Sequence, residues 1–389
     1  MHIKKGKQGD IVMATNANGE STKGKKKVSG KKRRAKQRAR IIIFIAELLI
    51  IAAMLVAVLK VFQTTEEVEG PQFAQIEESQ IVVNSEVVEK FEEIEELKGY
   101  WNIALFGVDS TNGKLTKGSR SDTIMVASIN QDTGEIKLIS VYRDTYLNLS
   151  NDRYNKCNGA YSSGGAEQAI AMLNMNLDLY ITDFVTVGYE AVIDAVNGLK
   201  GVWIDVDSEE LKHINNYQKS ILRDTDIDEE LVMVKDTGYQ LLNGLQAAAY
   251  CRIRYTAGDD FKRAERQREV IQAMADQAKT ASLSSLTDTF FKVVNNVYTS
   301  IDKDDLQSML SQVANYSIVA EDGFPRRDML TTGTIGAAGS CVVPTDLENN
   351  VVWLHEFLFG IEGYEVSSTV KECSSQIKAD TSPYLNRNK

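Results

Sequence analysis

The chain has 389 residues, is 43% hydrophobic and 25% charged, and carries a net charge of −10. This suits one large or two modest globular domains with appendages. The charge is partitioned: residues 1–40 hold 14 Lys/Arg against 2 Asp/Glu, a net of +12, so −22 remains on the rest. An acidic body of that kind excludes nucleic acid as the main partner, because a phosphate backbone needs a broad basic surface.

In chain order, the basic tract KGKKKVSGKKRRAKQRAR stops just before IIIFIAELLIIAAMLVAVL, residues 41–59. Nineteen mostly apolar residues span a bilayer core of roughly 30 Å as a helix. Residues 41–62 are therefore expected to be a transmembrane anchor, with 1–40 a cytoplasmic tail and the acidic body outside. A cleavable signal peptide is the rival reading, but its apolar core is normally shorter. Glu47 is costly in lipid and is expected to snorkel or to pair with another chain. Residues 63–96 hold 11 acidic side chains. VVEKFEEIEELKGY has Val87, Val88, Phe91, Ile94 and Leu97 on one side, which predicts a stalk helix over 63–99 packed on the body.

The globular part is expected to start near Tyr100. WNIALFGV, DTIMVASIN and EIKLISVYRDT read as three strands, the last two joined by the turn QDTGE. Helical patterns follow at 164–176 and 188–197, then the strand GVWIDV. YQLLNGLQAAAY reads as a helix running into a strand CRIRY. Helices are expected at 262–282 and about 303–316, then a Gly-rich linker TTGTIGAAGS and a helix LENNVVWLHEFLFG. The alternation implies an α/β sandwich with a central mixed sheet. The domain is drawn over 100–320, with 321–389 as an extension packed on it.

Four arginines dominate the chemistry. Arg252 and Arg254 are spaced i, i+2 in a strand-like run, so both leave one face. Arg263 and Arg266 are spaced i, i+3 on a helix and share a face there. Guanidinium groups match phosphate oxygens in bidentate geometry, so these pairs predict a pocket for an anion at least as charged as a pyrophosphate. The first strand ends at Asp109, the second opens with Arg120 and Asp122, and the third ends at Arg143 and Asp144. If the second and third strands form a hairpin, Asp122 and Arg143 share one sheet edge. If the first strand runs antiparallel to the second, Asp109 joins them. Carboxylates beside an oxygen-rich substrate are what Mg²⁺ uses. Each part alone has a plain structural alternative. Strand-end aspartates cap turns, paired arginines often face solvent, and Asp259 or Asp260 suits the N-cap of a helix near Phe261.

Cys157, Cys251, Cys341 and Cys373 all follow the apolar segment. An even count outside the membrane permits two disulfides, and Cys157–Cys251 with Cys341–Cys373 is the favoured pairing. Free buried thiols are the alternative. The spacings do not resemble zinc ligand sets.

The ordered set FGVDS, RSDTIMVASIN, ISVYRDT, YNKCNGAYSSGG, LNGLQAAAYCRIRY and GDDFKRAERQREV resembles the LytR–CpsA–Psr family of membrane-anchored cell-wall proteins across about residues 100–280. The trailing VVPTDLENNVVWLHEFLFGIEGYEVS looks like the extension of Firmicute, that is Gram-positive, members. The resemblance implies transfer of a glycopolymer, teichoic acid or capsule among the candidates, from a polyprenyl-pyrophosphate carrier to peptidoglycan. The expected bond is a phosphodiester to the C6 hydroxyl of muramic acid. It implies Asp109 and Asp122 as Mg²⁺ ligands. It assigns Arg120, Arg143, Arg252, Arg254, Arg263, Arg266 and Gln267 to the pyrophosphate, with Arg143, Arg120 and Asp144 catalytic. It also implies an apolar cleft between sheet and helices for the prenyl tail. Two departures stand out. YRDT replaces the PRDT of many members, which predicts a less fixed backbone, and Cys157 and Cys251 replace commoner apolar residues. The base stays open among Asp144, Asp260 and a metal-bound substrate oxygen. A hydrolase at the same site and a non-catalytic lipid binder are the competing functions.

Overall fold

The computed structural model describes residues 72–73, 81–109, 114–254 and 259–385. The expected tail and membrane helix lie outside these residues, as does most of the acidic segment before residue 81. Among the described residues no helix is long and apolar enough to cross a membrane.

A short strand β1 (Gln72–Phe73) precedes helix α1 (Ser85–Glu93). The Asn84 side chain caps α1 by accepting from the Glu86 N–H. Val87 and Leu97 are buried, and Glu86 and Lys90 bond Ser368 and the Glu365 carbonyl far along the chain. Among the described residues the helical part of the predicted stalk is short and fastened to the C-terminal region.

Strands β2 (Tyr100–Val108), β3 (Ser121–Asn130) and β4 (Glu135–Val141) form an antiparallel meander, as the turn chemistry predicts. A hairpin of β5 (Tyr146–Asn148) and β6 (Tyr154–Lys156) leads into helix α2 (Asn158–Leu177). This helix starts earlier than its sequence pattern and bends at Gly165, whose φ of 73° only glycine adopts at little cost. Strand β7 (Ile181–Val187) returns parallel to β2.

Next come α3 (Tyr189–Gly198), β8 (Val202–Val206), α4 (Ser208–Asp224), β9 (Gly238–Leu242) and α5 (Gly244–Arg252). The expected helix YQLLNGLQAAAY is split: GYQLL is β9, paired with β8, and Asn243 caps α5 in a reciprocal box with Gln246. CRIRY is not a strand. The helix runs to Arg252, and Ile253 and Arg254 follow it outside any strand. Then come α6 (Asp259–Thr280), α7 (Leu283–Val294), β10 (Val297–Thr299), α8 (Lys303–Ser311) and β11 (Ser317–Phe324).

The expected Gly-rich linker is instead a hairpin of β12 (Leu330–Ile335) and β13 (Gly339–Pro344). Helices α9 (Leu347–Phe359) and α10 (Ser368–Leu385) end the described chain. Helix α10 is largely polar and buries one stripe, Val370, Cys373, Ile377 and Thr381.

The central sheet has seven strands in the order β1-β10-β7-β2-β3-β4-β11. It is mixed: β7–β2 and β4–β11 are parallel, and β2–β3–β4 antiparallel. Alternation along the strands separates its faces. Ala104, Phe106, Ile124, Val126 and Ile139 pack with α2, α9 and α10 in the main core. Leu105, Met125, Val185 and Val187 face the other way, toward α3, α5 and α6. Helices thus cover both faces, an α/β sandwich with a mixed sheet. β11 crosses position 320, so the C-terminal segment is continuous with the sheet.

His355 on α9 shows how tightly this segment is seated. Its Nε2–H meets the Leu177 carbonyl at 3.1 Å and its ring stacks on Tyr364 at 3.6 Å. Burial pushes its pKa down from 6.5 to about 3. The folded state holds the ring neutral while the unfolded chain protonates near 6.5. Stability is therefore complete above that pH and falls as pH drops toward 3, by about 4 kcal/mol for this group alone. Urea titrations from pH 7 to 4 should show this slope in the parent and a flatter one in His355→Gln. Equal slopes would remove His355 as the cause.

Candidate active site

An apolar cavity of ≈ 720 Å³ lies between the sheet and the helices. Its walls are Leu105, Met125, Val185 and Val187 from the sheet, Val192 and Ala195 from α3, and Val270 and Met274 from α6. Tyr189, Tyr217, Asp109, Asp122, Arg252, Arg254, Arg263 and Gln267 are also among the lining residues. The cavity is thus oily along most of its wall, with charges gathered at the strand ends.

Those charges are positioned by the meander. Val108 pairs with Ser121 beside a bulge at Gly107/Val108, so Asp109 and Asp122 leave neighbouring strand ends. Arg143, just past β4, donates from Nη1 to Asp122 Oδ1 at 2.6 Å. Arg254 donates from Nη2 to Asp122 Oδ2 at 2.7 Å. Arg263 reaches the Asp122 carbonyl at 3.2 Å and Asp260 at 3.3 Å. Arg252 lies 3.6 Å from Asp109 and rests on the rings of Tyr189 and Tyr217. The hairpin edge predicted from sequence therefore brings Asp122 and Arg143 together, and Arg252 and Arg254 join them without a strand. Gln267 also lines the cavity, its amide 3.5 Å from the Cys251 carbonyl.

Arg263 is only 5% exposed, and burial followed by the nearby Arg143 charge pushes its pKa down to about 10. Its Nε and Nη1 have no hydrogen-bond partner among the described residues. Buried guanidinium donors left this way are costly unless an acceptor reaches them. An anion entering the cavity mouth would supply that acceptor.

Arg266 departs from its expected role. It is 3% exposed, donates from Nε to Glu210 Oε1 at 2.8 Å and from Nη1 to the Ile253 carbonyl at 3.0 Å, and does not line the cavity. Positions i and i+3 lie near one another on a helix but are not coincident. Here Arg263 turns toward Asp122, while Arg266 turns toward α4. Glu210 is the residue that sequence reasoning missed. It closes a capping box with Asp207, receives Arg266, and accepts from the Tyr250 hydroxyl. The D-x-x-E spacing before a helix was its available signal.

Arg120 and Asp144 lie elsewhere too. With Arg143 they line a second pocket of ≈ 470 Å³, walled by β6, the start of α2 and the β12–β13 turn. Lys156 Nζ is 3.1 Å from Asp144, and Arg143 Nε is 3.8 Å from it. Burial and a hydrogen bond with Asp260 raise the Asp144 pKa. Burial opposes ionisation of Asp260 also, but Arg263, the bond from Asp144 and Arg143 outweigh it and lower the Asp260 pKa. Of this coupled pair, Asp144 is the better proton acceptor.

The turn carrying Arg143 is firmly held despite YRDT. The Tyr142 N–H donates to the Phe324 carbonyl at 2.9 Å, a bond that proline cannot make. Tyr142 packs edge-on against Phe261 and over Gly323, where a Cβ would lie 2.0 Å from the tyrosine oxygen. The Cys157 thiol meets the carbonyls of Tyr142 and Arg143 at 3.2 and 3.3 Å. The favoured disulfides are not formed: all four cysteines are free. Cys157 is engaged with this turn, Cys251 lines the cavity, and Cys341 and Cys373 sit within the main core. Burial raises the pKa of each, Cys251 to about 12 and Cys341 to about 11, so these thiols are poor nucleophiles.

The donor set fits a magnesium ion only in part from protein. Among the described residues no group of three or more His, Cys, Asp or Glu is placed to hold a metal. Two carboxylates at neighbouring strand ends are what Mg²⁺ takes when phosphate oxygens and water complete its shell. A carboxylate offers about four lone-pair sites, so the arginine contacts do not exhaust Asp122.

The profile of the LytR_cpsA_psr family matches residues 56–340. The chain belongs to the LytR_cpsA_psr family. Among curated relatives, the polyisoprenyl-teichoic acid–peptidoglycan teichoic acid transferase TagU of Oceanobacillus iheyensis is 32% identical over 226 residues, covering 55% of this chain and 62% of the relative. TagT of Bacillus subtilis, a transferase of the same description, is 31% identical over 201 residues, covering 51% and 58%. This member of the LytR_cpsA_psr family thus matches about six tenths of the length of those relatives. The crystal structure of B. subtilis TagV superposes with a TM-score of 0.51 at 26% identity, covering 67% of this chain and 98% of that one. A structure of TagT with bound octaprenyl pyrophosphate lipid gives 0.51 at 20% identity, covering 70% and 96%. The latter likeness is one of fold.

Proposed function

We propose that the protein is a membrane-anchored phosphotransferase that moves a glycopolymer from a polyprenyl-pyrophosphate carrier to peptidoglycan, forming a phosphodiester, with muramic acid C6 hydroxyl as the acceptor. The observation that carries this is the pairing of an apolar cavity with Arg252, Arg254 and Arg263 at its charged end, where Asp122 also binds Arg143. A long apolar tail joined to a diphosphate has that same division of chemistry. The names of the curated relatives support the reaction class. The apolar stretch 41–59 supports an anchor that keeps the acidic body outside the plasma membrane.

The prenyl chain lies along Leu105, Val185, Val192 and Met274, and its burial supplies affinity without specificity. The guanidinium forks of Arg254 and Arg263 orient the diphosphate, and Arg252 is held on two tyrosine rings so that little freedom is lost on binding. Arg143 meets charge developing on the transferred phosphoryl group. The acceptor oxygen bonds to the phosphorus nearest the sugar, the bond from that phosphorus to the bridging oxygen breaks, and polyprenyl phosphate departs with the electron pair. Asp144 takes the hydroxyl proton. Asp109 and Asp122 are the residues that would hold Mg²⁺, which when bound neutralises charge on the diphosphate. Positioning and electrostatics supply most of the rate in such a transfer.

The test uses the full chain in detergent with a labelled polyprenyl-pyrophosphate saccharide, Mg²⁺ and purified peptidoglycan, read by mass spectrometry. The expected product is saccharide joined through phosphate to muramic acid, lost on chelation. Free sugar phosphate without a wall adduct would replace transfer by hydrolysis. Tight lipid binding without turnover would make the protein a binder.

A further inference from the structure

The second pocket is far more polar in its lining than the first. Its lining includes Asn151, Asn155, Asn158, Ser162 and Ser163, with cations Arg153 and Lys156, and no aromatic ring. Amides and hydroxyls that donate and accept suit a hydrated polyol; they do not suit a prenyl chain. The two linings share no residue. They meet at one contact, because Arg143 belongs to the second, Asp122 to the first, and the pair is joined at 2.6 Å. Asp144 opens on the second pocket alone.

We infer that this second pocket is the acceptor subsite, which takes a glycan strand of peptidoglycan and presents its hydroxyl across the Arg143–Asp122 partition. The inference rests on the transferase reading above. Its physical argument is the geometry of displacement at phosphorus. The attacking and leaving oxygens lie roughly in line on opposite sides of the transferred group. The leaving polyprenyl phosphate belongs on the side of the apolar cavity, so the attacking hydroxyl arrives from the far side of the partition. That side is the Asn/Ser-lined pocket, and the carboxylate able to receive the proton faces it. The donor's own saccharide is a substituent on the phosphoryl group, to one side of that line. Arg153 and Lys156 add positive charge for the carboxylates that peptidoglycan stems carry, and Asn155 stands between them in sequence on β6.

The experiment measures two bindings and one turnover with the full chain in detergent. The probes are a soluble muramyl glycan fragment bearing its stem peptides and a polyprenyl-pyrophosphate disaccharide. The variants are Arg153→Ala, which removes a charge at the pocket rim, and Ser163→Trp, which fills the pocket from an exposed helical position. Both should weaken glycan-fragment binding and raise its KM at least tenfold, with donor Kd changed less than twofold. If Ser163→Trp fails to fold, Arg153→Ala still decides the matter. An unchanged acceptor Kd and KM in a folded variant overturns the subsite. A donor Kd that weakens in parallel overturns it too, assigning the pocket to the donor's saccharide. The two readings fail separately. Pocket-dependent glycan binding without any transfer by the parent chain sinks the transferase and keeps the subsite. Transfer with pocket-independent acceptor binding does the reverse.

Discussion

Replacing Arg143 by alanine should reduce transfer about a thousandfold or more, the scale on which a single arginine acts in phosphoryl transfer. The side chain is 16% exposed and touches Asp122, Asp144 and Asp260. Among the described residues no other guanidinium of the second pocket's lining bonds Asp122 of the first, so no neighbour replaces it. The fold should survive, because Asp122 keeps Arg254 at 2.7 Å and Asp260 keeps Arg263 at 3.3 Å. A stability loss of about 1–2 kcal/mol is expected. Arg143→Lys should recover little, since an ammonium cannot make the forked contact. The check is a single-turnover assay beside a urea melt. Transfer at the parent rate in a folded Arg143→Ala chain would end its assignment to the reaction.

The second large effect is one of stability. Arg266→Ala should cost about 3–5 kcal/mol, the usual penalty for leaving one charge of a buried pair alone. Glu210 is 8% exposed at its side chain and would keep only the Tyr250 hydroxyl and the Asp207 N–H. Glu210→Ala should cost a similar amount, and the double substitution less than the sum. Arg263→Ala, three residues away, should do the opposite: a small change in unfolding and a large loss of donor binding. Denaturant titration of the set measures the coupling. If Arg266→Ala unfolds like the parent yet fails to bind the lipid, Arg266 returns to the ligand set.

That contrast shows where the sequence was legible. Spacing placed Arg263 and Arg266 on one helix and near one face, but the partner that separates them, Glu210, comes from another element. The meander was readable because QDTGE and two alternating runs encode it locally, and with it came the meeting of Asp122 with Arg143. CRIRY misled because its β-like composition follows the AAAY end of a capped helix, and the cap governs the segment. TTGTIGAAGS read as a linker because glycines mark turns, yet flanking β-branched residues pair across it. The cysteine pairing failed for a different reason. Count and compartment say only that bridges are permitted, whereas each thiol's position is set by the element that carries it. The second pocket was invisible because its Asn and Ser residues look like ordinary loop chemistry until β6, α2 and the β12–β13 turn are brought together.

The turn bearing Arg143 and Asp144 is clamped by strands that come much later in the chain. Tyr142 is tied to Phe324, and the Asp144 carbonyl accepts from the Val342 N–H at 3.0 Å. Contacts of such separation form late, because the loop between them must close first. The conformation of this turn is therefore written partly in residues about 180 to 200 positions downstream, so a chain cut before Phe324 lacks both ties and should hold Arg143 and Asp144 less firmly.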